Sequence, residues 1–174
     1  MRLCGLLIMV EKMLKAYKKK DDKEMEKIVR LYLSLHPYIN NWDLVDLSAI
    51  KIVGNWEVAH PEDDLMDKWI RLGDEALWQR RIAMVSTWMT LRNGRFDMVM
   101  SRAECLLSSK QNLLHKAAGW MLREMYKAGG EAELDSFLRQ HIKKMPSVML
   151  SYACEKMSAD EKAYWREFKY RVTD

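Results

Sequence analysis

The chain has 174 residues, with 29 Lys+Arg against 25 Asp+Glu and a net charge of +4. Apolar residues make up 49% and charged residues 31%, which excludes a disordered chain and suits one domain with its own core. Only 7 Gly and 3 Pro are present, against an all-β fold built on tight turns, and three scattered Cys (Cys4, Cys105, Cys154) give neither a disulfide framework nor a zinc spacing, which points to a reducing compartment.

Helical periodicity runs through the chain, and no segment alternates as a strand does. Leu3–Val10 is apolar but too short to span a bilayer, and it lacks the cleavage site of a secretory signal. Leu3, Leu6, Leu7, Val10, Met13, Leu14 and Tyr17 predict a first helix with one apolar face. Lys20-Asp21-Asp22 breaks it and gives the second helix an acidic start. Met25, Ile28, Val29, Tyr32 and Leu33 carry that helix, and Pro37 lies just beyond. Asn40-Asn41 offers an N-cap for a third helix, Trp42–Val53, ended by Gly54. His60-Pro61-Glu62-Asp63 opens a fourth that closes near Gly73. Asp74 caps a fifth, with Trp78, Ile82, Val85 and Met89 on one stripe, ending at Asn93-Gly94. A sixth runs over Phe96–Leu107, and Ser108-Ser109 precedes a seventh that ends at Gly129-Gly130. An eighth spans Glu131–Lys144, and Pro146 suits the first turn of a ninth. Ser158-Ala159-Asp160-Glu161 is a capping box for the last.

Short helices in close succession need neighbours to bury their apolar faces. One helix about every 20 residues, two per repeat, approaches the HEAT period, with Gly54 and Gly94 as landmarks. The expected fold is therefore all-α, an α-solenoid or superhelix of HEAT-like helical pairs; an ordinary helical bundle is the alternative.

The unusual counts are 14 Met and 7 Trp. On the seventh helix, Leu114, Ala117, Ala118, Met121, Leu122 and Met125 form a core face, and Lys116, Trp120, Arg123 and Lys127 form another stripe. Cations interleaved with an aromatic suit a nucleic-acid backbone, or else a Trp packed on Lys and Arg stems. The fifth helix repeats the theme with Arg80, Arg81, Trp88 and Arg92, as phosphate-gripping groups or as a solvated face. On the third helix Trp42 and Asp46 share a face, while Asp43 sits in the first turn, where the helix dipole favours an acid. Asp46 is either a carboxylate set to stabilise a developing cation or half of an ion pair with one of the Arg residues. No Gly-rich phosphate loop occurs, and His36, His60, His115 and His141 have no ligand spacing, so no metal or cofactor is expected. His115, beside Lys116, suits a structural or phosphate contact better than a base.

Four segments carry a resemblance: Asn41-Trp42-Asp43-Leu44-Val45-Asp46-Leu47-Ser48, Leu77-Trp78-Gln79-Arg80-Arg81-Ile82-Ala83, His115-Lys116-Ala117-Ala118-Gly119-Trp120-Met121-Leu122-Arg123-Glu124, and Met145-Pro146 with Leu150-Ser151-Tyr152-Ala153-Cys154-Glu155-Lys156. In this order they resemble the AlkD-like family of bacterial DNA alkylation repair glycosylases, built from HEAT-like repeats. The resemblance implies one domain over residues 1–174. It implies hydrolysis of the N-glycosidic bond of cationic alkylated purines, N7-methylguanine and N3-methyladenine, in double-stranded DNA, without a base-flipping pocket and without a cofactor. Asp46 matches the family's catalytic carboxylate, Trp42 and Trp120 the two Trp of the cleft, and Arg81 the Arg that holds DNA near the lesion. Arg80, Trp88, Arg92, Lys116, Arg123 and Lys127 are the further DNA contacts expected, and the bacterial cytoplasm, on the nucleoid, is the expected location.

The family carries further helices before the segment that corresponds to Met1–Tyr17. The apolar face of the first helix is therefore expected to be uncovered, which predicts instability or a dimer. Leu107-Ser108-Ser109-Lys110 also lacks an acidic residue of the family. Two other functions stay open: a non-catalytic DNA-binding HEAT-repeat protein, and an interaction scaffold with a Met-rich surface.

Overall fold

A computed structural model describes residues 2–173. It contains α1 (Arg2–Lys19), α2 (Asp22–Ser34), α3 (Trp42–Ala59), α4 (Leu65–Ile70), α5 (Leu77–Leu91), α6 (Phe96–Cys105), α7 (Asn112–Lys127), α8 (Glu131–His141), α9 (Ser147–Ala153) and α10 (Ala159–Thr173). Short 3-10 turns lie at His36–Tyr38 and Asp74–Ala76, and no strand occurs among the described residues. None of these helices is long and apolar enough to cross a membrane.

The breaks follow local chemistry. Lys20 ends α1 in the left-handed region at φ 56°, and Asp21 caps α2 by accepting from the Glu24 N–H at 3.1 Å. Gly94 and Gly129 end α5 and α7 at φ 77° and 94°, where a side chain would be strained. The capping box forms as expected: the Ser158 N–H donates to the Glu161 carboxylate at 2.8 Å, and the Glu161 N–H donates to Ser158 Oγ at 3.2 Å.

Several boundaries differ from the sequence reading. Gly54 does not end α3, which runs five residues further to Ala59. It sits where α3 meets α5, and a Cβ there would lie 2.6 Å from the Ser86 carbonyl oxygen. Asn41 makes no side-chain cap, and the fourth helix starts only at Leu65. Asp74 does not cap α5; its carboxylate accepts from Ser109 Oγ and the Lys110 N–H and so pins the loop before α7. Pro146 precedes α9 with ψ 142° rather than joining its first turn.

The odd-numbered helices stack in succession, α1 on α3, α3 on α5, α5 on α7 and α7 on α9, while α2, α4, α6 and α8 cover their backs and touch one another little. Close contact in one layer and wide spacing in the other is a helical solenoid with the odd layer on its inner side. α3, α5, α7 and α9 begin at residues 42, 77, 112 and 147, a constant stride of 35. That is shorter than the 40 residues taken from Gly54 and Gly94, because Gly54 is a packing residue and not a boundary.

α1 buries Leu6, Met9, Met13 and Ala16, whereas Leu3 and Leu7 stay 42% and 46% exposed and Leu14 42%. The single apolar face expected from the sequence is thus split, since α2 and α3 cover α1 from one side only. The methionines correct the scaffold reading. Ten are buried, from Met9 to Met157, and Met89, Met98 and Met100 are half-buried, so no described Met forms a surface. Flexible thioethers fill gaps between short helices. At the back of α3 and α5 the fully buried Arg102 donates to the Glu57 and Asp67 carboxylates and to the Ala83 carbonyl, joining α3, α4, α5 and α6.

Candidate active site

Trp42 opens α3 and stands 55% exposed at the edge of the inner layer. Asp46 follows one turn later on the same face. Arg81 of α5 grips its carboxylate with two parallel bonds, Nε to Oδ1 at 2.9 Å and Nη2 to Oδ2 at 2.7 Å. The remaining guanidinium arm donates to the Leu113 carbonyl of α7 at 2.5 Å. One side chain therefore fixes the spacing of three helices and the plane of one carboxylate. The side chains of Arg81 and Asp46 are 6% and 17% exposed. Burial pushes the Asp46 carboxyl above its ordinary value, the bonds and charge of Arg81 pull it down, and the charge of Asp43 pushes it up again; burial prevails.

These groups line an open cleft of about 480 Å³, completed by Lys116, Trp120 and Arg123 of α7 and Tyr152 of α9. The 35-residue stride explains the gathering. Asp46, Arg81 and Lys116 are each the fifth residue of their helix, so the solenoid sets them in one column along the inner layer. Lys116 is exposed and Trp120 half-buried, so a cation and an aromatic face the carboxylate across the cleft. Arg123 is tied to Glu124 at 2.9 Å and to Glu155, just past the end of α9, which makes it a rim group already paired in the fold.

A family model described as DNA alkylation repair enzyme matches residues 1–157. The chain belongs to the DNA alkylation repair enzyme family. No curated protein and no solved structure matches it. The family match spans α1 to α9 and every residue of the cleft, and it supports a role in DNA alkylation repair.

In this member of the family the other expected contacts are spread out. Arg80 is not in the cleft. Consecutive helical residues point about 100° apart, so while Arg81 faces inward, Arg80 is buried and donates to the Ile70 and Cys105 carbonyls and to Asp74. Trp88 and Arg92 sit in a neighbouring hollow with Lys127. There Arg92 stacks 4.7 Å from the Trp88 ring and Lys51 lies 5.1 Å from it, while Lys127 is paired with Glu124 at 2.7 Å. His115 is structural: it is buried, and its Nε2 meets the Ser109 carbonyl at 2.8 Å.

Tyr152, Lys51, the Leu113 carbonyl and the acids Glu124 and Glu155 escaped the sequence reading. Glu155 lies one stride after Trp120, so a repeat of 35 would have flagged it, whereas Glu124 is marked only by its place beside Arg123 in the chain.

Proposed function

We propose that this chain is a monofunctional DNA glycosylase that hydrolyses the N-glycosidic bond of cationic alkylated purines, N7-methylguanine and N3-methyladenine, in double-stranded DNA of the cytoplasm. The observation that carries the reading is the Asp46 carboxylate, held in plane by Arg81 in an open cleft flanked by Trp42 and Trp120.

An alkylated purine already carries a positive charge and leaves without a general acid. The sugar then gains oxocarbenium character at C1′, which a fixed anion stabilises. A carboxylate has about four lone-pair sites, so the two bonds to Arg81 leave sites for a water at the cleft. Asp46 can orient that water and take its proton. Trp42 and Trp120 present π-faces that favour a cation between them. Lys116 supplies charge toward the phosphates of the strand, while Arg123, tied to Glu124 and Glu155, holds the rim. The cleft is open rather than enclosed, which suits attack on the sugar from the backbone side.

Methylated duplex DNA incubated with the protein should release free N7-methylguanine, measured by chromatography, and Asp46→Asn should abolish most of that release. No release by the wild type would sink the reading.

A second reading draws on the same pair. Because Arg81 neutralises Asp46 at 2.7 Å, the protein could bind damaged DNA without cutting the bond. Salt-sensitive duplex binding with no base release would favour it.

A further inference from the structure

The inner-layer column does not stop at Lys116. One stride further, the fifth residue of α9 is Ser151, and the first is Ser147. Both are exposed, and neither hydroxyl has a hydrogen-bond partner among the described residues. They open onto a second hollow of about 450 Å³ between α9 and α10. Across it stand Lys162 and Arg166, spaced i, i+4 on α10 and therefore on one face. Neither cation meets a carboxylate within ion-pair distance among the described residues, and the Arg166 Nε reaches only the Lys162 carbonyl at 3.2 Å.

Glu155, the one acid among the described residues lining this hollow, is engaged elsewhere. It accepts from Arg123 and lies 3.5 Å from the Lys156 ammonium. The pair Arg123–Glu155 also places the hollow, because Arg123 lines the cleft while Glu155 lines the hollow. The two concavities share that rim. The floor is apolar and inert: Trp165 is buried, and burial pushes the Cys154 thiol up to about 11, so it stays protonated at neutral pH. Among the described residues, two unpaired cations, two open hydroxyl donors and no free acid make a site for a tetrahedral anion. It lies beside the cleft, in register with it, so the anion that fits is a backbone phosphate of the strand passing through. α10 lies outside the residues matched by the family model, so nothing in that match assigns this contact.

We propose that α10 adds a phosphate-binding hollow to the DNA-binding surface, in which Lys162 and Arg166 hold one backbone phosphate of duplex DNA and Ser147 and Ser151 donate to its oxygens. The proposal rests on the reading that the cleft binds DNA.

The test is fluorescence anisotropy with a labelled, undamaged DNA duplex across a salt series. One neutralised phosphate contributes about 0.9 to the slope of log K against log salt. Lys162→Gln with Arg166→Gln, which keeps the side-chain stems, should lower the slope by about 0.9. If the two lines meet at about 1 M salt, affinity at about 0.1 M falls roughly eightfold. Lys162→Arg with Arg166→Lys should restore the slope. Ser147→Ala with Ser151→Ala should weaken binding severalfold and leave the slope unchanged. Lys23→Ala with Lys27→Ala removes the same charge from α2 and should change neither. Wild-type binding with an unaltered slope in the Gln pair overturns the hollow while leaving the cleft reading intact, as does an equal loss in the α2 pair. A wild type that fails to bind duplex DNA overturns both.

Discussion

Replacing Arg81 and Asp46 singly and together probes the clamp across three helices. Arg81→Met leaves the Asp46 carboxylate buried without its counter-charge and the Leu113 carbonyl without the Arg81 donor. Asp46→Asn leaves a guanidinium that is only 6% exposed facing a neutral amide. Removing one partner of a buried pair costs about 3–5 kcal/mol. Asp46 opens to the cleft on one side and is 17% exposed, which places each single substitution near the lower figure, about 3 kcal/mol. The double substitution loses the same two bonds once, so it should cost little more than either single, with a coupling of about 2–3 kcal/mol. With a slope near 2 kcal/mol per molar urea, each single moves the midpoint by about 1.5 M. Urea unfolding followed by far-UV circular dichroism measures all four proteins. Costs that add to within about 0.5 kcal/mol would falsify the clamp as an energetic unit. The sign with pH is also fixed. Without Arg81 nothing opposes burial, so the folded Asp46 keeps its proton to higher pH than the unfolded chain does. Stability of Arg81→Met then falls as pH rises through the carboxylate range.

Three further outcomes follow from the same geometry. On the proposed mechanism base release requires ionised Asp46, and burial raises that carboxyl above its ordinary value, so the acid limb of the pH–rate profile should lie above that of an ordinary Asp. Asp46→Asn should cut release on the order of 100- to 1000-fold, the usual loss of one preorganised electrostatic group, while duplex binding by anisotropy is retained. Gly54→Ala puts a methyl 2.6 Å from the Ser86 oxygen and 2.8 Å from Met89 Cγ, and should lower stability by about 1–3 kcal/mol in thermal unfolding.

Much of the fold was legible because solenoid helices are amphipathic and their ends carry local chemistry. Asp21, Gly94, Gly129 and the Ser158–Glu161 box act on residues close by in the chain. Gly54 misled because a glycine that ends a helix and one that lets two helices touch look alike in sequence. The difference depends on Ser86, 32 positions away. Asp46, Arg81, Trp42, Lys116 and Trp120 were visible as residue types on helical faces, and the structure brings all five to one cleft. Arg80 was not separable from Arg81 by type, since only packing decides which of two neighbours faces α6 and which faces α3. The stride of 35 was hidden before the helix starts were known, because the recurrence of Ala83, Ala118 and Ala153 at that interval is too slight a signal to mark it.

The Asp46 clamp has a mechanical side. Its three parts ride on three separate repeats, and repeat interfaces are the joints at which a superhelix bends. The two Asp46–Arg81 bonds are 2.9 and 2.7 Å long. Opening the α3–α5 joint by about 1 Å carries both beyond hydrogen-bonding reach, and a misplacement of that size can cost on the order of 100-fold in rate. The carboxylate thus works as a gauge of curvature. On the proposed mechanism, a change on the outer layer that flattens the arc would slow base release without touching DNA, Asp46 or Arg81.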